Sequence, residues 1–207
     1  MAAPLSEDQL RETRARIIAV AERQFAEAGP EGISLRAIAR EVGWTAASLY
    51  RYFPGKDALL VATRTAVLNR FSDRMEKAYA AHHDLWDRSR AIGQAYVDFA
   101  FEEPQAYRLM FGSAPPPDPK PPELADAEAR SLRTVTDYVR DMIAAGLLHG
   151  EAEAIGRAYW AALHGLVVLR LSGRIASDEE FETLRHETMR LITRGAQAGK
   201  QGVIVPG

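Results

Sequence analysis

Apolar positions recur at helical spacing in almost every segment of the chain, and turn-forming residues separate the segments. Near the start, Leu10, Ile17, Ala21 and Phe25 are spaced as on one face of a helix, with arginine and glutamate between them. No stretch shows the alternation of a half-buried strand. The expected fold is therefore all-α, with about nine helices. Their predicted ranges are residues 6–28, 35–42, 46–52, 56–82, 85–102, a short segment ending at 111, 123–145, 151–172 and 178–194.

Capping residues and helix breakers mark the ends of these segments. Ser34 and Thr45 directly precede the second and third segments and are expected to be their N-caps. Capping-box spacing occurs twice, in Ser6 with Gln9 and in Ser177 with Glu180. The residues predicted to end helices are Gly29-Pro30, Gly146, Gly173 and Gly195.

Prolines dominate the segment from residue 112 to residue 122. Six of them lie between Pro115 and Pro122, a density that excludes a helix interior. A stiff, extended surface connection is expected here. A proline-rich peptide ligand for another protein is the functional alternative.

Composition indicates a globular chain, with 47% hydrophobic and 26% charged residues among 207. No uncharged apolar run approaches the roughly 18 residues of a membrane span. The first residues lack the basic start and apolar core of a secretory signal. The chain has no cysteine, which excludes disulfides and thiolate metal sites. We expect a cytoplasmic protein with no metal, no cofactor and no membrane partner.

Residues 35–54 meet the requirements of a helix-turn-helix, in which two short helices pack at a steep angle through a tight turn. Ala39 is small where the helices must approach, and Gly43, four residues later, tolerates a positive φ in the turn. The apolar residues that would hold the pair on a core are Ile38, Val42, Trp44 and Leu49.

The exposed side of the third segment is short, hydroxylic, aromatic or basic, which suits a helix in the major groove of DNA. Residues 34–56 hold four basic side chains and one acidic one, a local net charge of +3 in a chain of net charge −2. DNA responds to this local face rather than to the whole-chain sum. Ser34 and Lys56 lie near helix starts, where phosphate contacts are favoured. Similar short helices also occur in proteins that never bind DNA, so a helical protein–protein adaptor is the alternative.

Residues 10–60 carry a resemblance to a known family. The string from Ser34 to Leu60 contains the run Leu49-Tyr50-Arg51-Tyr52-Phe53-Pro54-Gly55-Lys56-Asp57-Ala58-Leu59. It resembles the N-terminal DNA-binding domain of the TetR (tetracycline repressor) family. The resemblance implies a homodimer on an inverted repeat of double-stranded DNA, with bases probed from Thr45 to Ser48 and phosphates held around them. The predicted DNA-binding residues are Ser34, Arg36, Thr45, Ala46, Ala47, Ser48, Tyr50, Arg51, Tyr52 and Lys56.

The second half is similar to an effector domain found in part of that family and named for its Trp and His-Gly. Phe99, Glu103-Pro104, residues 107–111 and residues 160–166 carry this match. The two resemblances imply a ligand-responsive transcriptional regulator, most often a repressor that its ligand releases, although activation is an alternative. The predicted domains are a DNA-binding domain over 1–55, an effector-binding and dimerisation domain over 56–195, and a flexible tail over 196–207.

The segment 151–172 is apolar on two sides, which is typical of a helix that packs both on its own core and on a partner. Together with the segment 178–194, it predicts a four-helix interface between two copies of the chain. A monomer that buries both stripes internally is the alternative.

Aromatic residues and methionines on the helices of the second domain predict an apolar cavity for a small, mainly hydrophobic effector. His164 or Tyr107 is the expected polar contact. The same side chains also suit an ordinary core, and any one of them is as well explained by packing. The predicted pocket residues are Phe71, Met75, Phe99, Tyr107, Met110, Phe111, Tyr138, Met142, Trp160 and His164.

No sequence motif for catalysis is evident. The chain has no Gly-x-Ser-x-Gly, no glycine-rich phosphate loop and no His-Glu-x-x-His. His82 and His83 are adjacent and therefore diverge on a helix, which indicates a solvated helix end rather than a metal site. We do not expect an enzyme.

Overall fold

The structure is a computed structural model, and it describes residues 6–32, 34–111 and 119–198. These residues form ten α-helices and no strand, which confirms the expected all-α fold. The helices are α1 (Glu7–Gly32), α2 (Leu35–Glu41), α3 (Ala46–Tyr50), α4 (Lys56–Ala80), α5 (Leu85–Glu102), α6 (Pro104–Met110), α7 (Pro122–Thr134), α8 (Asp137–Ala144), α9 (Ala152–Leu171) and α10 (Asp178–Ala198).

One segment predicted as a single helix, 123–145, is two helices, α7 and α8. Val135 and Thr136 separate them, and both are β-branched residues that restrict the helical backbone. Thr136 is buried, and its hydroxyl donates to the carbonyls of Leu132 and Arg133 at 3.3 Å each. Such side-chain bonds to the preceding turn compete with the helical ladder, so the helix is interrupted here.

Two predicted helix ends are wrong, because both helices continue through the expected breaker. α1 runs through Gly29-Pro30 to Gly32. α10 runs through Gly195 to Ala198. Ala196 is buried, and its carbonyl accepts a hydrogen bond from the His149 N–H at 2.8 Å, so tertiary packing extends the helix. Most of the proline-rich connection (112–118) and of the predicted tail (199–207) lies outside the described residues.

The chain divides into two compact units. Of the described residues, the first contains 6–32, 34–70, 105–111 and 119–128, and the second contains 71–104 and 129–198. The division falls inside α4 rather than at the predicted boundary of 55. The reason is that Leu59, in the first turn of α4, is fully buried in the core of the first unit.

The second unit is built on contacts of α9 with α10 and α8, and of α5 with α8 and α9. Its core includes Phe71, whose ring meets those of Tyr96 and Phe99 edge-on at centroid distances of 5.6 and 5.3 Å. Gly156 of α9 is buried against the break between α7 and α8. A Cβ added there would lie 2.6 Å from the Val135 carbonyl oxygen, so only glycine permits this approach.

We therefore predict that Gly156→Ala lowers the free energy of unfolding by about 1–3 kcal/mol, because the added carbon must displace backbone. Gly93→Ala is the matched control, since a Cβ at this helical glycine meets nothing within 4 Å. The control should be neutral or stabilising by up to about 1 kcal/mol, from helix propensity. Urea unfolding followed by circular dichroism measures both, and equal effects of the two variants would contradict the close approach.

Candidate nucleic-acid interface and small-molecule cavity

The short helices α2 and α3 begin at the two caps that the sequence predicts. The Ser34 hydroxyl accepts a hydrogen bond from the Ala37 N–H at 3.2 Å. The Thr45 hydroxyl accepts one from the Ser48 N–H at 3.2 Å and lies 3.0 Å from the Ser48 hydroxyl. Both caps satisfy backbone donors that a helix start leaves unpaired.

The turn between α2 and α3 is formed at Gly43. Its φ of +79° lies in the left-handed region, which a side chain disfavours. The Trp44 N–H then donates to the Ala39 carbonyl at 2.7 Å and closes the turn. The glycine and the small alanine thus occupy the roles that their spacing predicts.

Beneath this turn, α3 presents one face to the core of the first unit. Leu49 is fully buried, in one cluster with Ile38 and Ala39 of α2 and with Ala21 and Phe25 of α1. Trp44 packs against the same cluster and stacks on Tyr52 with ring centroids 5.3 Å apart.

The opposite face of α3 is open to solvent. Tyr50 is 54% exposed, and Thr45, Ala47 and Arg51 are exposed with it. Among the other predicted DNA-binding residues, Ser34 and Arg36 are exposed. The partly buried ones are Ala46, Ser48, Tyr52 and Lys56.

Arg14 of α1, which the sequence analysis did not single out, holds the far end of α3. Its guanidinium Nη1 donates to the Tyr52 carbonyl at 2.6 Å and lies over the Phe53 ring, 4.3 Å from the centroid. In the sequence, an arginine that makes such contacts looks the same as one on the solvated face of an amphipathic helix.

The positive charge of this region is concentrated on its exposed arginines. Arg36, Arg40 and Arg51 are exposed and form no ion pair with the described part of the chain. Glu41, the acidic residue of segment 34–56, is instead held by Gln24 at 2.6 Å and by Arg23. These hydrogen bonds, first from Gln24 and then from Arg23, lower the pKa of Glu41. The acid is thereby paired with α1, and the arginines are left for a partner.

The second unit contains a cavity of about 590 Å³ between α5, α8, α9 and α10. Five of the residues that line it are aromatic, and two of these, Tyr138 and Tyr159, are buried with their ring centroids 6.4 Å apart. The other aromatic wall residues are Trp86, Tyr96 and Trp160. Basic side chains also line it: His82, Arg90, His186 and Arg190 are exposed, whereas Arg185 is partly buried.

Two of the ten predicted pocket residues, Tyr138 and Trp160, line this cavity. Four others, Phe71, Met75, Phe99 and Met142, are buried core residues of the second unit and do not line it. Tyr107, Met110 and Phe111 belong to the first unit, where the Tyr107 and Phe111 rings meet at 5.0 Å. His164 is half-buried outside the lining, with its Nδ1 3.4 Å from the Tyr96 hydroxyl. Burial lowers the pKa of His164.

Much of the wall comes from residues that the sequence analysis assigned elsewhere. His82 was interpreted as part of a solvated helix end, and α10 was assigned to an interface between copies. Arg185, Met189 and Thr193 of α10 line the cavity, at the spacing of one helix face. That spacing was visible in the sequence, but which neighbour the face meets was not.

Exposed apolar side chains form a further feature of α9 and α10. Val168 and Leu169 of α9 are 43% and 41% exposed, and Leu184 and Leu191 of α10 are 39% and 64% exposed. Full burial of such a side chain stabilises by about 1.5–3 kcal/mol, and covering the part that remains exposed here would contribute a fraction of that. Where such side chains lie side by side, they are typical of contact surfaces.

Within the described ranges, no helix combines the length and apolarity needed to cross a membrane. The same residues contain no cluster of three or more histidine and acidic side chains arranged to hold a metal ion.

Comparison with known proteins places these features in a family. Residues 17–63 match the family described as bacterial regulatory proteins, tetR family, and residues 89–192 match the tetracyclin repressor-like C-terminal domain. The HTH-type transcriptional regulator Rv1816 of Mycobacterium tuberculosis is 32% identical over 146 residues, 70% of this chain. The matched stretch spans 61% of that relative's length.

Solved structures of similar fold cover nearly the whole chain. A protein of unknown function from Rhodococcus sp. RHA1 is 27% identical, with a TM-score of 0.78 over 95% of this chain and 100% of its own. A TetR family transcription regulator from Marinobacter aquaeolei VT8 shares the fold at 22% identity, with a TM-score of 0.70 over 89% of this chain and 97% of its own. The capped helix-turn-helix of the first unit and the family match across the second together show that this chain belongs to the TetR family of bacterial regulatory proteins.

Proposed function

We propose that this chain is a transcriptional regulator that binds an inverted-repeat operator in double-stranded DNA as a homodimer. It acts as a repressor, and a small, mainly hydrophobic effector releases it from the operator. The observation that carries the proposal is the exposed face of α3 beside three exposed arginines without an acidic partner. The Mycobacterium tuberculosis relative is itself named a transcriptional regulator. A protein of this kind acts on the chromosome and therefore in the cytoplasm.

The proposed interface divides its contacts between bases and phosphates. Ala46, Ala47 and the Thr45 and Ser48 hydroxyls are short, so α3 lies deep in the major groove with its start at the base edges. Arg36, Tyr50 and Arg51 reach outward to phosphates on either side, and Ser34, Tyr52 and Lys56 complete the contact. Few side chains of α3 form directional bonds to bases, so methyl contacts and DNA shape carry much of the preference.

The proposed dimer forms through α9 and α10. Val168, Leu169, Leu184 and Leu191 supply exposed apolar surface on both helices, and two copies would bring four helices together. A stable interface of this kind buries about 2,000 Å² or more.

Release by the effector depends on the spacing of the two α3 helices in the dimer. These helices must meet successive major grooves about 34 Å apart. Residues 56–70 of α4 belong to the unit that holds α3, and residues 71–80 belong to the unit that holds the cavity. A ligand that binds only one of two positions of α4 therefore shifts the population away from the DNA-binding state.

We predict that the purified protein binds DNA from immediately upstream of its own gene more tightly than a shuffled duplex, and that affinity falls as salt rises. Arg51→Ala should weaken binding to both duplexes and lower the salt slope by about 1, the value for one lost phosphate contact. Fluorescence anisotropy at two salt concentrations measures this. The control is Arg133→Ala, which removes an exposed arginine of α7. Wild-type binding that is absent even at low salt would refute the regulator and favour a protein–protein adaptor.

We also predict that Leu191→Glu converts the dimer to a monomer at micromolar concentration, because a charge in an apolar interface is not compensated. Light scattering after size-exclusion chromatography reports the mass directly. Leu10→Glu is the matched control, since Leu10 is a 39% exposed leucine in the first unit. A wild-type chain that elutes as a monomer, or a Leu191→Glu variant that remains dimeric, would reject α10 as the interface.

A further inference from the structure

One buried donor on the cavity wall has no partner. Tyr138 is 7% exposed, and its hydroxyl forms no hydrogen bond with the described part of the chain. The described polar atoms that are both fully buried and unpartnered are Arg64 Nε and Thr65 Oγ1, so the Tyr138 hydroxyl reaches open space. Since Tyr138 lines the cavity, its O–H is available to an acceptor on a ligand. Burial raises the pKa of Tyr138, which keeps this proton in place.

The neighbouring tyrosine does not offer the same group. The Thr193 hydroxyl donates to the Met189 carbonyl at 2.8 Å, so its single proton is committed. The Tyr159 hydroxyl, 2.6 Å from the Thr193 oxygen, must therefore be the donor of that pair. Of these two tyrosines, only Tyr138 has an O–H donor left for a ligand.

Part of the Arg185 guanidinium also lacks a hydrogen-bond acceptor. Its side chain is 16% exposed, against 69% for Arg90 and 47% for Arg190, the other arginines of the wall. Nε donates to the Glu182 carboxylate at 3.0 Å, and Nη2 donates to Glu182 and to the Gln94 side-chain oxygen at 3.1 Å. Nη1 has no hydrogen-bond partner in the described chain. A carboxylate on a ligand can accept a charge-assisted hydrogen bond from this remaining nitrogen.

The arginines of the cavity wall differ from the acidic residues in where they lie. Three arginines line it, whereas Asp87 is the acidic residue of the lining. The carboxylates that pair with Arg185 and Arg190, those of Glu182 and Glu187, are not part of the lining. Asp87 is likewise the ion-pair partner of Arg90, so each of the three arginines has its own carboxylate and the local charge is balanced. The preference for an anionic acceptor therefore rests on the unpartnered Nη1 of Arg185, which can form a charge-assisted hydrogen bond.

We propose that the cavity binds an amphipathic organic acid, whose aromatic or alkyl body lies among the tyrosines and tryptophans and whose carboxylate meets Arg185. The Tyr138 hydroxyl donates to an oxygen of the ligand. This proposal names the chemical class of the effector. It rests on the proposed function in one respect, namely that the cavity is the effector site.

Two matched series of probes test the ligand class. Each series keeps one body and changes the end group: 1-naphthylacetate, 1-naphthylacetamide and 1-naphthylethylamine, and octanoate, octanamide and octylamine. Isothermal titration calorimetry on the full chain measures binding without any DNA. The carboxylate of at least one series should bind about tenfold more tightly than its amide, because its hydrogen bonds are charge-assisted, and the amine should bind most weakly.

Variants then assign the contacts. Arg185→Gln should weaken the carboxylate about tenfold or more and the amide less than about threefold. Arg185→Lys keeps the charge without the planar fork and should lie between wild type and Arg185→Gln. Tyr138→Phe should weaken the carboxylate and the amide alike, by about fivefold. The matched controls, Arg133→Gln and Tyr79→Phe, change residues outside the cavity lining and should leave all affinities unchanged.

The possible results distinguish a wrong ligand class from a failure of DNA binding. An amide or amine that binds as tightly as its carboxylate would overturn the proposal. So would the absence of binding by every probe at about 1 mM, with the circular dichroism spectrum of a folded protein. Either result leaves operator binding, measured separately by anisotropy, unaffected. A carboxylate preference that Arg185→Gln abolishes supports the proposal even if no operator is bound.

Discussion

The arrangement of the first unit depends on the burial of Leu49. α3 contains five residues, Ala46–Tyr50, and a helix of this length is not stable alone, because helices shorter than about 12 residues do not repay nucleation. Packing against other helices stabilises it instead, because Leu49 is fully buried in a cluster with residues of α1, α2 and α4. Full burial of a leucine is worth about 1.5–3 kcal/mol, and a cap such as Thr45 about 1 kcal/mol. The side chains that face DNA are therefore positioned by the packing beneath them, and Arg14 and the Glu41 pairs tie that packing to α1.

In the second unit the helices are longer than α3 and therefore depend less on tertiary packing for their formation. They do not, however, fill the space between them. α5, α9 and α10 have 18, 20 and 21 residues. Gly156 brings α9 close to the break between α7 and α8, whereas large aromatic rings surround open space nearby. Close packing at one point and a cavity at another are compatible because buried tyrosines such as Tyr138 and Tyr159 carry a polar end that benefits from a partner. A ligand with an acceptor near Tyr138 would supply the hydrogen bond that the described side chains do not provide to its hydroxyl.

The features that the sequence predicts correctly are those set by residues close to one another in the chain. α5 spans Leu85–Glu102, the range expected from its period, and Asp84 caps it through the Asp87 N–H at 2.9 Å. Ser34, Thr45 and Gly43 are equally local, so their roles follow from spacing. The continuation of α10 through Gly195 depends on a contact made by a distant residue, His149, and the close approach of Gly156 to the break at Val135 and Thr136 also joins distant segments. The cavity is the least predictable feature, because an apolar face indicates burial but not whether its neighbour is in contact.

α10 connects the two proposed activities of the second unit. Arg185, Met189 and Thr193 line the cavity, while Leu184 and Leu191 of the same helix are exposed. A helix moves as a rigid rod over such short distances, so a ligand that displaces one face of α10 also displaces the leucines of the other. If those leucines hold the partner copy, ligand binding and the geometry of the dimer share one mechanical element. Coupling then requires only that the ligand bind one position of α10 more tightly than another, since a ligand with equal affinity for both shifts nothing. Arg185 gives such a difference a physical basis, because its hydrogen bonds to Glu182 on α10 and to Gln94 on α5 make the position of its guanidinium depend on both helices.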